Sequence, residues 1–172
     1  TQPDMPGIDQ EKATQKPKYV TAVEKLFKKS MPDTDAALDR IAAASTAKMD
    51  VGPSKGRERL FEKADLSYNN NLQRVTDYER RSLEFANFAD MTAALALLRH
   101  DFDYIRIKNR FAKANEAAKR TAAYRDVQLV CYVKGTKLIF ELQLHLTCIL
   151  DVKNKCAASK GADGRTGHDR YI

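Results

Sequence analysis

Two stretches in which apolar and polar residues alternate, Val127 to Val133 and Leu138 to Leu144, flank the short segment Lys134-Gly135-Thr136-Lys137. Alternation with a period of two on both sides of a glycine-bearing turn predicts an antiparallel hairpin, with Gly135 and Thr136 as the central pair of a type II′ turn. That register sets Lys134 against Lys137, Val130 against Glu141, Gln128 against Gln143 and Asp126 against His145. Successive side chains leave a strand on opposite faces. Tyr124, Asp126, Gln128, Glu141, Gln143 and His145 therefore share one face, and Val127, Leu129, Cys131, Val133, Leu138, Phe140, Leu142 and Leu144 share the other. The second set is a core face. The first is either the solvated side of a half-buried sheet or a site. Its mixture of acid, amide, imidazole and aromatic groups, with Val130, Tyr132 and Ile139 making the turn end partly apolar, is what a concave ligand site needs.

Upstream the period changes. Residues 1–18 are rich in Pro, Gln, Lys and Asp and show little periodicity, which reads as a flexible basic arm. From Tyr19 a helical stripe appears, formed by Tyr19, Val20, Val23, Leu26 and Phe27, and Pro32 is expected to stop it. Asp33 or Thr34 then caps a second helix that turns Leu38, Ile41 and Ala42 inward and runs to about Met49. Gly52-Pro53 breaks the chain, and Ser54 is expected to cap a third helix through Ala64. A polar turn at Tyr68 to Asn71 leads to a strand over Val75 to Phe85. Asn87 and Asp90 have the spacing of a helix start, and Met91, Leu95 and Leu98 form that helix's buried stripe. Phe102 to Phe111 returns to period two, with Arg106, Lys108 and Arg110 on one face. Residues 112–123 read as a loop or a short helix. A last helix carries Cys148, Ile149, Val152 and Cys156 towards Gly161. Strand, helix, strand, hairpin and helix in that order make an α+β domain. Its mixed sheet has about four to five strands, with the N-terminal helices packed on it.

Composition narrows the class. With 172 residues the chain can bury one real core, so residues 19–172 are read as one domain: a helical layer over 19–50 and a motif-bearing core over 53–172. A net charge of +7 favours an anionic partner: nucleotide phosphates, nucleic acid or an acidic protein surface. Tyr104, Tyr124 and Tyr132 are too scattered for a platform that stacks single-stranded nucleic acid. No run approaches the roughly 18 apolar residues of a membrane span. The three cysteines lack metal-binding spacing and are expected to be free buried thiols. These features imply a soluble protein of a reducing compartment, the cytoplasm or an organelle interior. Of the histidines, His100 is assigned a structural role.

Tyr124-Arg125-Asp126-Val127, then Glu141-Leu142-Gln143-Leu144-His145, then Gly167-His168-Asp169-Arg170-Tyr171 resemble the synthetase domain of RelA/SpoT-like alarmone enzymes. Upstream, Lys55-Gly56-Arg57-Glu58-Arg59 with Lys63 resembles that family's basic helix, and Asp77-Tyr78-Glu79-Arg80-Arg81-Ser82 its metal-holding strand. The resemblance covers roughly Pro53 to Ile172. It implies a nucleotidyltransferase-type fold and transfer of pyrophosphate from ATP to the 3′ hydroxyl of GDP or GTP, with magnesium. It further implies that Glu141 and Asp77 are catalytic and hold the metal. Lys55, Arg57, Arg59 and Lys63 would contact phosphates, and Tyr124 would stack on guanine. Gln143, His145 and His168 would be further nucleotide-binding groups.

The motifs also depart from the family's pattern. Ala123 replaces the glycine before the tyrosine. His145 stands where an arginine is usual, Asp126 where a small polar residue is usual, and Pro53 where the first basic residue falls. Two functions therefore stand side by side: a small synthetase-like enzyme, or a domain that keeps the fold without the reaction. In the second case it would serve as an accessory subunit that meets other proteins through its basic arm.

Overall fold

The computed structural model describes residues 1–3, 15–112 and 124–158. Their elements run in the order α1 (Lys16–Ala44), β1 (Lys48–Val51), α2 (Arg57–Tyr68), a 3-10 turn (Leu72–Arg74), β2 (Arg80–Phe85), α3 (Phe88–Asp101), β3 (Tyr104–Asn109), β4 (Val127–Tyr132), β5 (Ile139–Leu146) and α4 (Thr147–Ala158). The five strands form one mixed sheet in the order β1-β2-β5-β4-β3. Only β2 and β5 pair in parallel; the other neighbours are antiparallel. The expected α+β class and mixed sheet are what the chain adopts.

The hairpin forms in the expected register, with Val130 opposite Glu141 and Gln128 opposite Gln143. Its turn differs. The amide of Thr136 donates to the carbonyl of Val133 at 3.0 Å, so Lys134 and Gly135 are the central residues. Gly135 takes the left-handed conformation at φ 68° as the second of them, where a type II′ turn would need it first. The Thr136 hydroxyl closes the loop, donating to Val133 O and accepting from Leu138 N, each at 3.0 Å.

Four further expectations are corrected. Pro32 does not end a helix: α1 is continuous for 29 residues with Pro32 inside it. Phe27, Met31, Thr34, Leu38 and Ile41 stay in phase across the proline and are all buried, so packing outweighs the lost hydrogen bond. The helix stops at Ala44, well short of Met49, and Lys48–Val51 is an edge strand paired with β2. Thr46 takes a positive φ of 51° at the break between them. Ser54 does not cap α2; it donates to Glu79 at 2.5 Å, and α2 begins after Gly56. The strand expected from Val75 begins only at Arg80. In contrast, Asn87 caps α3 as expected, accepting from the Asp90 amide at 2.9 Å. Of the 1–18 arm, residues 1–3 are docked on the domain and α1 already starts at Lys16; nor is the arm basic, since Lys12, Lys16 and Lys18 are balanced by Asp4, Asp9 and Glu11.

The core lies between one face of the sheet and the helices α1 and α3. It includes Tyr19, Phe27, Leu38, Leu83, Phe85, Met91, Leu98, Leu129, Phe140, Leu142 and Leu144. Cys131 lies in it, and burial pushes its thiol up to about 12. Cys148 is exposed, contrary to expectation. Arg81 also points to this side from β2. Its guanidinium forks onto Asp35 of α1, Nε to Oδ1 at 2.7 Å and Nη2 to Oδ2 at 3.0 Å, and Nη1 reaches Glu79 at 3.1 Å. Asp35→Ala leaves a buried cation whose Nη1 still meets Glu79 and the Arg80 carbonyl but whose Nε and Nη2 have lost the Asp35 carboxylate. It should cost about 2 kcal/mol in chemical denaturation, the scale of a hydrogen bond to a charged group. A loss below about 0.5 kcal/mol would show that the fork does not tie helix to sheet. No helix of the described residues is long and apolar enough to cross a membrane.

Candidate active site

The opposite face of the sheet carries the polar row, and it is not a solvated surface. Asp126, Glu141 and His145 are 1%, 7% and 3% exposed. Parallel pairing sets Arg80 beside Glu141, Ser82 beside Gln143 and Glu84 beside His145, so β2 extends the row. On the other flank Lys108 pairs with Gln128 and Arg106 with Val130. Helix α4 closes over part of this face. A cavity of about 270 Å³ lies between them, lined among others by Arg80, Ser82, Glu84, Gln143, His145 and Lys153. A larger open depression of about 1260 Å³ lies at the hairpin turn, lined by Thr1–Pro3 and Tyr132–Lys137 among others. Neither Asp77 nor Glu141 lines either of them.

Asp77 sits on the irregular segment leading into β2, not on the strand itself. Its neighbours fix it: Val75 is fully buried and Tyr78 nearly so. The Tyr78 ring stacks on Phe27 with centroids 6.2 Å apart, and its carbonyl accepts from the Lys55 amide at 3.0 Å. The Asp77 carboxylate is 5% exposed. One oxygen, Oδ2, receives both Lys55 at 2.6 Å and Lys63 at 2.8 Å. Burial pushes the carboxyl up, but the hydrogen bonds and charges of the two lysines outweigh it and hold Asp77 below its usual value. The second oxygen, Oδ1, is buried with no hydrogen-bond partner among the described residues.

Glu141 is the mirror case. Burial raises its pKa, and the nearby Asp77 charge raises it further, against the hydrogen bond from Gln143 and the charges of Lys63 and Arg80. Gln143 Nε2 donates to Glu141 Oε1 at 2.7 Å. The two carboxylates thus feel each other at the N-terminal ends of two parallel strands, and their environments push their pKa values apart.

The other expected residues divide. Lys55 and Lys63 join the cluster. Arg57 and Arg59 are engaged by other carboxylates: Arg57 with Glu24 of α1 at 2.6 Å, and Arg59 with Glu62 of its own helix at 2.8 Å. Tyr124 and His145 meet farther along the row. The tyrosine hydroxyl and His145 Nδ1 share a hydrogen bond of 2.7 Å, and Lys153 of α4 lies over the tyrosine ring, 4.8 Å from its centre. Burial, then the charges of Lys153 and Arg110, lower His145 to about 4, so it is a neutral imidazole at pH 7. Tyr124→Phe removes only the hydroxyl and strands Nδ1. We expect a loss of about 1–2 kcal/mol on urea unfolding, with nucleotide affinity nearly unchanged if the ring is what stacks. His168, residues 113–123 and residues 4–14 lie outside the described residues.

The sequence reading missed three site features. Asp126, placed there in the polar row without a partner cation, is held by Arg110 Nη1, which donates to both its oxygens at 2.7 and 2.8 Å. Arg80 lines the cavity with its Nε unpartnered, and Lys153 covers the tyrosine. Only the alternation of Arg106, Lys108 and Arg110 signalled any of these.

Magnesium, which the resemblance implies, needs oxygen donors. Among the described residues no three His, Cys, Asp or Glu side chains cluster to hold a metal unaided. The open Oδ1 of Asp77 and the Glu141 carboxylate are two donors, and the cation habitually completes its shell with water and substrate phosphates. The residues fit an ion that arrives with a nucleotide.

The fold is that of the RelA/SpoT-like alarmone synthetases, on structural comparison. Small alarmone synthetase 1 from Bacillus subtilis superposes with a TM-score of 0.60 at 12% identity, over 86% of this chain and 84% of that one. The same enzyme bound to its product pppGpp gives 0.58, also at 12% identity, over 83% and 80%. The Type VI effector Tas1, in complex with its immunity protein, gives 0.58 at 18% identity, over 90% and 73%. No family model matches the sequence, and no curated protein does. The likeness is one of fold, with the sequence far diverged.

Proposed function

We propose that the chain transfers pyrophosphate from ATP to the 3′ hydroxyl of a guanosine di- or triphosphate, releasing AMP. The observation that carries this reading is the carboxylate pair: Asp77 held ionised by Lys55 and Lys63, and Glu141 desolvated beside it. Glu141 takes the proton of the acceptor hydroxyl as its oxygen bonds to the β-phosphorus of ATP. The bond from that phosphorus to the α,β-bridging oxygen breaks, and AMP leaves. Lys55 and Lys63 offset charge on the moving phosphates. Asp77 Oδ1 and Glu141 would hold magnesium, which when bound polarises the phosphoryl oxygens. Gln143 fixes the orientation of Glu141. Tyr124 is the surface on which the acceptor's base stacks once Lys153 is displaced. Solved relatives of this fold have been captured with pppGpp and with the ATP analogue AMPCPP, which supports nucleotides as the ligand class.

One observation favours the second reading, an accessory subunit without turnover. Arg57 and Arg59 are committed to Glu24 and Glu62, which leaves two lysines rather than four cations at the carboxylate. Incubating the purified chain with magnesium, ATP and either GDP or GTP, and measuring AMP, separates the two. AMP above the level of a protein-free control supports the enzyme. Its absence, with stable retention by a larger complex through the N-terminal segment, supports the subunit.

A further inference from the structure

Gln2 is 1% exposed, although it is polar and lies outside every helix and strand. Its side-chain amide does what a neighbouring strand would do for Ile139. Nε2 donates to the Ile139 carbonyl at 2.6 Å, and Oε1 accepts from the Ile139 amide at 2.9 Å. Nε2 also lies 3.4 Å from the carbonyl of Val75, and the Gln2 backbone amide donates to Gln73 O at 2.8 Å. Tyr19 of α1 holds the next residue, donating to Pro3 O at 3.1 Å.

The need for this bridge follows from the sheet. Pairing between β2 and β5 runs from Arg80 beside Glu141 to Phe85 beside Leu146, and the Glu141 amide still finds Glu79 O at 3.0 Å. Two residues before Glu141, β2 has already turned away into the segment that carries Asp77. Ile139 is fully buried, so its amide and carbonyl on that side would be orphaned without a substitute. A glutamine amide sets N–H donors beside an acceptor oxygen, so it can meet the amide and the carbonyl that one strand residue turns to the same side.

The geometry points to Gln2 as a positioning residue for the carboxylate pair. It links Ile139, two residues before Glu141, to Val75, two residues before Asp77, so one side chain fixes the spacing of the two segments that bear the catalytic acids. The functional half of this inference rests on the pyrophosphate-transfer reading; the clamp itself does not. A displacement of about 1 Å at a reacting group can cost about 100-fold in rate, so a clamp at this place acts on turnover more than on binding.

The test uses the full chain with Gln2→Met, which keeps length and burial but removes the amide, and Gln2→Glu, which keeps an acceptor and loses the donor. Amide hydrogen exchange is read at Ile139 and Glu141 and over residues 75–79, together with kcat and KM for AMP formation. We expect exchange at Ile139 to quicken at least about 10-fold in Gln2→Met, the scale of one lost buried hydrogen bond. Exchange in the α3 core should be unchanged. We expect kcat to fall about 10–100-fold with KM within about 3-fold, and Gln2→Glu to show the same pattern. Unchanged exchange at Ile139 in both variants would overturn the clamp. Faster exchange with wild-type kcat, or a change confined to KM, would overturn the positioning role. Global unfolding of both variants would do so too, since the residue would then be general scaffold. If the wild type makes no AMP, the transfer reading falls, while the exchange data still decide whether Gln2 ties the two segments together.

Discussion

Glu141→Gln should reduce AMP formation by about 10²–10⁴-fold, the loss typical of removing a general base, while leaving the protein at least as stable. The side chain keeps its size, and its Oε1 can still accept from Gln143 Nε2, which now reaches Glu141 at 2.7 Å. The sign of the stability effect follows from the direction of the pKa shift. Burial raises the folded-state pKa of Glu141 above its ordinary value of 4.5. The advantage of the folded state is therefore full below the ordinary value and is lost as pH rises through the raised one. At neutral pH the ionised carboxylate works against folding, and an amide removes that cost. Activity should rise with pH as Glu141 ionises, because only the ionised form accepts the proton. A Glu141→Gln protein with wild-type turnover would end the assignment of Glu141 as base. One that lost activity only in proportion to lost folded protein would do the same.

The hairpin could be read from the sequence because strict alternation and one turn glycine fix a register through local chemistry. The polar row of Gln128, Glu141 and Gln143 followed from that register alone. What the sequence hid depends on distant partners. Nothing near Lys48–Val51 marks a strand, since four residues at a sheet edge, mostly exposed, leave no periodic signal. Pro32 reads as a stop because the local cost of proline is visible, whereas the buried stripe carrying α1 through it is tertiary. Asp77 falls within the strand expected over residues 75–85, yet Val75 and Tyr78 beside it are not strand residues. They are buried instead as anchors of an irregular segment whose carbonyls meet Lys55 and Gln2. The Gln2 bridge spans 137 positions, far beyond any window of pattern. The resemblance supplied Asp77 and Glu141 as a pair, and the fold sets the segments that carry them next to each other, since β2 and β5, remote in sequence, are neighbours in the sheet.

Asp77→Asn should be damaging twice over, and the two effects separate by their response to nucleotide. In the wild type the carboxylate neutralises both Lys55 and Lys63 through one oxygen. The asparagine leaves two half-buried ammonium groups without a counter-charge. Breaking a buried ion pair from one side costs about 3–5 kcal/mol, and the partial exposure of Lys63 puts the expectation near about 3 kcal/mol in urea unfolding. The wild-type dependence on pH has the opposite sign to that of Glu141. The folded pKa of Asp77 lies below its ordinary value of 3.8, so its stabilisation is complete above that value and is lost as pH falls through the lowered one. The asparagine variant should therefore lose less stability than the wild type on acidification below about pH 4. ATP without magnesium should return part of the lost stability, because its phosphates supply the anions the lysines lack. AMP formation should not return even when magnesium and the acceptor nucleotide are then added, because the buried oxygen that would hold the metal has become part of a neutral amide. If Asp77→Asn kept both its unfolding free energy and its turnover, the carboxylate pair would not be the working centre. If ATP restored stability and turnover together, Asp77 would be only a clasp for the two lysines, and the metal-holding part would have to move to Glu141 alone.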